Sequence, residues 1–382
     1  RTTNDNYIYD VGGYGMLGFG HNPQEVLDTL QTPNVMANIM TPNHQQHIFS
    51  EKISTEIGNK NKLNQTYDKY MLLNSGSEAN SLAFLIANIH KHKKSCIINV
   101  FDSFHGRTET PSYVSNSIRN NYSKHLSKFK YNKIPKIASV EQNDVIQLQK
   151  TYRKLKKKNQ HIEAIILEPV MGEGNPGSMI TPEFYDVAKQ ITKNENSLLI
   201  IDSIQAGFRC TGELSVIDYP KFIAKEKPDI EVFSKAINGG QFPLSVLGLS
   251  EKAIERFNFG LYGNSMTGNP RGLEVANTIL SMMTPEVKQN IVSKGRYLKQ
   301  AFQQFQDKYD FIENVTGSGL LMGIHLNKQV IDVLDAEYEL RMMGLNIIHG
   351  GENALRLTPW FLITQEECDF IIDLLDEYFK KI

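Results

Sequence analysis

Leu198-Leu199-Ile200-Ile201-Asp202 is an unbroken apolar run that ends on a carboxylate. Four large aliphatic residues in a row read as a strand buried on both faces, as in a parallel sheet covered by helices. An acid at the end of such a strand is costly unless a cation or hydrogen-bond donors meet it. In open α/β sheets that carboxyl end is also where ligands bind. Three further runs share this texture: Cys96–Val100, Ala164–Leu167 and Val246–Leu249 each lead into polar or glycine-containing sequence. All four read as buried parallel strands whose ends feed functional loops. Helical patterns lie between them. Glu78–Lys94 puts Ala79, Leu82, Ala83, Ile86 and Ile89 on one face, and Pro182–Ile191 is a shorter candidate. The alternation predicts an α/β fold with a mostly parallel sheet.

From about Gly272 the texture changes. Long helical stretches, Leu273–Met283 and Val287–Tyr309, precede a glycine-rich strand pair near Gly317–Leu326. Thr364, with Glu367 three residues on, spells a capping box that starts a final helix. These shifts predict three parts. An N-terminal segment, 1–40, packs with the small domain and the active site; a large domain follows over 41–272, and a smaller α/β C-terminal domain over 273–382.

The bulk numbers narrow the function classes. At 382 residues the chain holds two or three packing units. With 41 Lys+Arg against 42 Asp+Glu it carries no positive field to recruit nucleic acid or an anionic membrane. A composition 40% hydrophobic and 22% charged excludes wholesale disorder and collagen-like or coiled-coil architecture. Cys96, Cys210 and Cys368 are odd in number and far apart, against a disulfide scaffold or structural zinc and in favour of a reducing compartment. No apolar run approaches the ~18 residues of a membrane helix, and no basic-then-apolar leader follows Arg1. The expectation is a cytoplasmic enzyme. Two basic runs, Arg153–Lys158 and His90–Lys94, read as solvated helix ends, because cations there favour the helix dipole and no aromatic residues interleave them.

Gly13-Tyr14-Gly15-Met16-Leu17-Gly18 satisfies the G-x-G-x-x-G spelling of a dinucleotide-binding turn. That motif needs a helix opening at the glycines and an acidic residue about 20 positions on. Here the next helix starts only after Asn22-Pro23, and no acid lies between Asp28 and Glu51. The nicotinamide reading is set aside; these glycines let the backbone pass close to something flat.

Three local signals carry chemistry. In Phe233-Ser234-Lys235-Ala236-Ile237-Asn238-Gly239-Gly240 a lysine follows an apolar strand and precedes small residues. Such a lysine either snorkels or serves as a desolvated amine that forms a Schiff base. Asp202, 33 positions earlier at a strand end, can hold a pyridine ring nitrogen protonated while Lys235 carries the aldehyde. In Asn74-Ser75-Gly76-Ser77-Glu78-Ala79-Asn80 a helix opens with small residues. That is either a plain serine N-cap or a phosphate cradle of free backbone N–H groups.

Together these residues resemble the class III pyridoxal phosphate-dependent aminotransferases, the group that includes ornithine, acetylornithine, 4-aminobutyrate and lysine ε-aminotransferases. The resemblance runs in order through Gly20-His21-Asn22-Pro23, the Asn74–Asn80 segment, Phe104-His105-Gly106-Arg107-Thr108 and Glu168-Pro169-Val170-Met171-Gly172-Glu173-Gly174. It continues through Asp202 to Gly212, Ser234-Lys235, Gly268-Asn269-Pro270 and Leu355-Arg356-Leu357-Thr358-Pro359. It implies a fold type I transferase that binds pyridoxal 5'-phosphate and works as a homodimer or higher oligomer. Lys235 is then the Schiff-base lysine and proton shuttle of a ping-pong reaction. Asp202 pairs with the ring nitrogen, Gln205 with the phenolic oxygen, and Phe104 stacks on the ring, with His105 beside it. Gly76 and Ser77 bind the phosphate, and a hydroxyl from the neighbouring subunit, Ser265 by register or else Thr267, completes that site. Three departures from the family's pattern stand out: Ser203 where Glu is usual after the aspartate, Arg209 one place early, and Ser265 for Thr.

The resemblance also speaks to substrates. One substrate, 2-oxoglutarate, puts a carboxylate beside the reacting carbon, and an ω-amine puts a methylene there. An arginine that welcomes the first is left unpaired by the second, which is costly when buried. The family's solution is a glutamate that masks the arginine, and Glu173 with Arg356 match it. Arg107 matches a bidentate carboxylate clamp, and Tyr14 is a candidate lining residue for the distal end. The bland reading of each arginine is an ordinary ion pair. The favoured function is transfer of a terminal amino group, with glutamate/2-oxoglutarate as the other couple. The alternatives are an aminomutase, racemase or decarboxylating transaminase on the same fold, or a non-catalytic scaffold.

Overall fold

A computed structural model of the chain describes residues 7–35, 41–88, 94–125, 136–258 and 260–382. The basic run at His90–Lys94 therefore lies almost wholly outside the described residues. A two-residue strand, β1 (Tyr9–Asp10), comes first, followed by the seven strands of the main sheet. These are β2 (Lys69–Leu73), β3 (Ser95–Val100), β4 (Lys136–Val140), β5 (His161–Leu167), β6 (Leu198–Asp202), β7 (Ile230–Phe233) and β8 (Ser245–Leu249). Their spatial order is β2-β8-β7-β6-β5-β3-β4.

Five of the strands, β7-β6-β5-β3-β4, run parallel. The expectation of a parallel strand at Val246–Leu249 is corrected here. β8 lies antiparallel to both β7 and β2. Its five residues are all buried, so it has the same continuous apolar texture as its parallel neighbours, and only its connections reverse it. Side chains alternate between two apolar layers. Ile97, Ile166, Leu198, Ile200 and Val232 pack with Ala79, Leu82, Phe84 and Ile86 of the Gly76–Asn88 helix. Ile98, Ile165, Leu199, Ile201 and Phe233 pack into the other layer with Phe184 of the Pro182–Asn194 helix.

Helices take their starts from local side chains. Asn269 Oδ1 accepts the Gly272 N–H at 2.7 Å with Pro270 at the first helical position, so Gly268-Asn269-Pro270 is the cap of the Pro270–Met282 helix. The Pro285–Lys308 helix follows. A four-stranded antiparallel sheet comes next, from β9 (Ile312–Ser318), β10 (Leu321–Leu326), β12 (Ile348–Gly350) and β13 (Ala354–Leu357). The capping box forms as spelled: Thr364 caps the Gln365–Phe379 helix and Glu367 reaches back. β1 pairs in parallel with β11 (Leu345–Asn346), and Thr358 donates its N–H to the Val11 carbonyl at 2.7 Å. The glycine-rich stretch after β1 is thereby sewn to the C-terminal part of the chain. It is built of turns, and the next helix is Gln24–Gln31. Arg153–Lys158 sits in and just after the last turn of the Val145–Lys157 helix. Among the described residues no helix is long and apolar enough to cross a membrane.

Candidate active site

In chain order β4 lies on one side of β3 and β5 on the other, so the strand order reverses at β3. The loops that leave β3, β5, β6 and β7 carry Phe104-His105, Glu168, Gln205 and Lys235, and Asp202 ends β6. This is the crevice outside the carboxyl ends at a topological switch point. A cavity of about 270 Å³ opens there, lined by Gly76, Phe104, Asp202, Gln205 and Lys235 among others.

Asp202 has the parity of Leu198 and Ile200, so its side chain leaves the sheet toward the Gly76–Asn88 helix. It is 3% exposed. Its Oδ2 accepts from Asn80 Nδ2 and faces His105 Nδ1, both at 2.8 Å. Among the described residues Oδ1 meets only the Ile204 N–H, at 3.2 Å. Asn80 Nδ2 also donates to the His105 carbonyl at 2.9 Å. Buried Glu168 accepts the N–H groups of Phe104 and Gly172, each at 2.9 Å. Burial pushes its carboxyl up to about 7, against the opposing pull of His105.

Lys235 begins a single 3₁₀ turn after β7 with φ +47°, in the left-handed region that a β-carbon disfavours. Burial lowers its amine to about 7; Arg356 adds to the fall, while Glu173, Asp202 and Glu168 oppose it. A lysine so placed offers a neutral, nucleophilic nitrogen near neutral pH.

The Gly76–Asn88 helix points its N-terminus into the cavity, where the first N–H groups have no intrahelical partner. A β-carbon on Gly76 would stand 2.6 Å from Ile204 Cδ1, and one on Gly106 would overlap the Ser77 hydroxyl. Ser77 Oγ accepts the Arg107 N–H at 3.2 Å. Neither Ser265 nor Thr267 lines the cavity of its own chain. Ser265 is exposed, and the Thr267 hydroxyl donates to the Asn264 carbonyl at 2.6 Å.

A second cavity of about 450 Å³ gathers Tyr14, Arg107, Glu173 and Arg356. Arg356 comes from β13, is 1% exposed, and donates Nη1 to the Gly172 carbonyl at 2.8 Å. Its guanidinium lies 5.0 Å from the Tyr14 ring, and among the described residues its Nε has no partner. Burial lowers its pKa, opposed first by Glu173. Among the described residues no ion pair joins Arg356 to Glu173; they share the cavity and act on each other across it. Both also stand within electrostatic reach of Lys235, where Arg356 lowers the amine's pKa and Glu173 raises it. The Arg107 guanidinium lies 5.6 Å from the Phe104 ring.

Arg209 is fully buried and reaches across three parts of the chain. It donates to the carbonyls of Leu320 at 3.3 Å, of Pro359 and of Gly15, and lies 4.9 Å from the Phe361 ring. The early arginine is thus a tie between the glycine-rich segment, the large sheet and the C-terminal sheet. Sequence reasoning assigned no role to Asn80 or Glu168, and none to His105 beyond its place beside the ring. The only signal for them was their position inside the quoted motifs.

The residues fit pyridoxal 5'-phosphate. Among the described residues Gln205 Oε1 and His105 Nε2 are buried polar atoms without protein partners at the cavity, and Gly76 and Gly106 bring the backbone close where a β-carbon would collide with Ile204 or Ser77. An acid facing the cavity, a low-pKa lysine and a helix N-terminus suited to an anion complete the donor set that this cofactor needs. Fold and site together define a pyridoxal phosphate-dependent transferase of fold type I. The model of the class-III aminotransferases matches residues 2–379, and the chain belongs to that family. It is a transaminase, and its cofactor is pyridoxal 5'-phosphate. It is 30% identical over 372 residues to the acetylornithine/succinyldiaminopimelate aminotransferase of Yersinia pestis, covering 94% of this chain and 85% of that one. It is 28% identical to the acetylornithine aminotransferase of Clostridium acetobutylicum, covering 98% and 92%. The ornithine aminotransferase structure from Toxoplasma gondii superposes with a TM-score of 0.84 at 22% identity, over 99% of this chain and 87% of that one.

Proposed function

We propose that this chain transfers a terminal (ω) amino group to 2-oxoglutarate by a ping-pong reaction. The observation that carries the reading is the second cavity, where Arg107 and Arg356 bring two guanidinium groups to one space and Glu173 stands within electrostatic reach of Arg356. The names of the Yersinia and Clostridium relatives, an acetylornithine/succinyldiaminopimelate aminotransferase and an acetylornithine aminotransferase, point the same way.

When bound, the cofactor supplies an aldehyde for the amine and a protonated ring that acts as electron sink. The chain's own residues do the rest. Lys235 Nζ holds and moves the proton at the reacting carbon. Asp202 keeps a negative charge against the ring nitrogen, and Asn80 and His105 hold that carboxylate in place. Gln205 meets the phenolic oxygen, Phe104 covers one ring face, and Gly76 and Ser77 take the phosphate at the helix N-terminus. Ser265 or Thr267 of a second copy supplies the remaining hydroxyl, so the working unit is a homodimer. Arg107 clamps a carboxylate, Tyr14 lines the distal end, and Glu173 and Arg356 switch between substrates. The segment 1–40 and the domains 41–272 and 273–382 divide this work, and the enzyme acts in the cytoplasm.

A half-reaction screen tests the reading. Diamines, ω-amino acids and N-acylated ornithines are mixed with the holoenzyme, followed by 2-oxoglutarate. Conversion by an ω-amine and recovery by 2-oxoglutarate are expected. Conversion by α-amino acids alone would overturn the ω assignment.

A further inference from the structure

Glu231 is fully buried in the middle of β7, opposite Ile201 of β6 in the sheet register. A carboxylate in such a place is costly unless its oxygens are satisfied. Here both are. Oε1 accepts from Ser203 Oγ at 2.5 Å and the Val216 N–H at 2.9 Å; Oε2 accepts from Tyr67 OH and Ser215 Oγ, each at 2.5 Å. Among the described residues no cation pairs with it. Burial raises its pKa to about 7, and the four donors pull the other way. Its neighbours Ile230 and Val232 belong to the layer under the Gly76–Asn88 helix, so Glu231 projects from the opposite face of the sheet, away from the cavity. It cannot touch cofactor or substrate.

What it holds decides what it can do. Ser203 follows Asp202 directly, and its carbonyl accepts the Gly207 N–H at 2.9 Å, closing the turn that carries Gln205. Four positions beyond Glu231 on the same chain stands Lys235. Glu231 therefore bonds the strand end bearing Asp202 to the strand leading to Lys235, and ties both to Tyr67 and the Ser215–Val216 turn. Ser203 is also the position where the family's usual acid is missing. Glu231 accepts the Ser203 hydroxyl from the neighbouring strand, so an acid still meets position 203.

We propose that Glu231 is a positioning residue for the transamination: through Ser203 it fixes Asp202 and Gln205 against the ring, in place of an acid at position 203. The inference rests on the ring contacts assigned above to Asp202 and Gln205. Its test therefore reads the absorption of bound pyridoxal phosphate, which does not depend on which amine the enzyme accepts.

Four holoenzymes are compared with the wild type: Glu231→Gln, Ser203→Ala, Glu231→Ser, and Ser203→Glu combined with Glu231→Ser. The glutamine is nearly isosteric, and the hydroxyls of Tyr67 and Ser215 can turn to accept from its amide, so it tests the charge with the fold kept. Expected are unfolding midpoints for Glu231→Gln and Ser203→Ala within about 3 °C of wild type. Their midpoint for the pH-dependent change of the cofactor band should shift by about half a unit or more, with kcat lower by about fivefold or more and KM within twofold. The double variant, which returns the acid to position 203, should recover at least half of the loss seen in Glu231→Ser. Unchanged band and kcat in Glu231→Gln and Ser203→Ala would overturn the proposal. So would losses that follow the unfolding midpoint alone, or a double variant no better than Glu231→Ser. A wild-type holoenzyme that showed no cofactor band would instead count against the assigned site.

Discussion

His105 and Asp202 meet inside the protein, the ring Nδ1 2.8 Å from Oδ2, with the histidine 1% exposed and the aspartate 3%. Asn80 donates to the same oxygen. One carboxylate oxygen is thus committed to the scaffold by two neighbours, and among the described residues the other keeps a single long contact, to the Ile204 N–H. The charge is held on one side and offered on the other. That division suits an acid whose task is to pin a ring nitrogen in one place.

Asp202→Asn removes the charge while leaving an amide of the same shape. The variant should still bind the cofactor through the phosphate cradle, yet its amine half-reaction should slow by more than about tenfold, or ~1.4 kcal/mol in barrier. Stopped-flow absorbance on adding amino donor checks it. A rate within tenfold of wild type would remove the ring-nitrogen role.

Lys235→Met should abolish turnover without abolishing non-covalent cofactor binding. The lysine also leaves a signature in the cofactor-free protein. Its pKa falls from the ordinary 10.5 to about 7 by burial. Between those values the unfolded chain binds more protons than the folded one, so the wild type gains stability as pH rises through that window. The variant lacks this term. Its advantage in unfolding midpoint over wild type should be larger at about pH 6 than at about pH 9. A pH-independent difference would mean that the amine is not desolvated.

The placement of several candidate residues was legible because they sit at strand ends. Leu198–Ile201 announces a buried strand and Asp202 interrupts it; Phe233 and Lys235 repeat the pattern. The direction of β8 was not legible, because a buried antiparallel strand has the same apolar texture as a parallel one. β2 was missed altogether: Lys69–Leu73 is half exposed over most of its length and short of strong strand formers. Glu231, Asn80 and Arg209 acquire meaning only through partners at 28, 122 and 150 positions' remove, Ser203, Asp202 and Pro359. No local pattern encodes such separations. Arg209 breaks the motif's spelling, and in the fold it ties the glycine-rich segment to the carbonyls of Leu320 and Pro359.

If Ser265 or Thr267 of a second copy completes the phosphate site, activity requires association. In its own chain Ser265 is exposed and neither residue reaches the cavity. Sedimentation at assay concentration should show a dimer or larger, and dilution to monomer should release cofactor and activity together. A catalytically active monomer would contradict this.

The sharpest prediction concerns Glu173 and Arg356. Among the described residues they share the second cavity without an ion pair, and Arg356 keeps an Nε without a partner beside its bond to Gly172. The guanidinium therefore has a donor to offer either to Glu173 or to a substrate carboxylate. With an ω-amine bound, a methylene faces the arginine and Glu173 must neutralise it. With glutamate or 2-oxoglutarate bound, the substrate's carboxylate takes that place. Glu173→Ala leaves the arginine without its mask. The glutamate half-reaction should then survive or improve, while the ω-amine half-reaction falls by an unpaired-cation penalty of about 2–4 kcal/mol, roughly 30- to 1,000-fold. Arg356→Ala should show the reverse bias, with 2-oxoglutarate use weakened. Arg107→Ala should hurt whichever substrate presents a carboxylate to that clamp, so it serves as the control for general loss of recognition. Stopped-flow measurement of both half-reactions in the three variants separates the cases. Equal slowing of both half-reactions in Glu173→Ala would make the pair merely structural, and the argument for an ω-amino donor from this cavity would go with it.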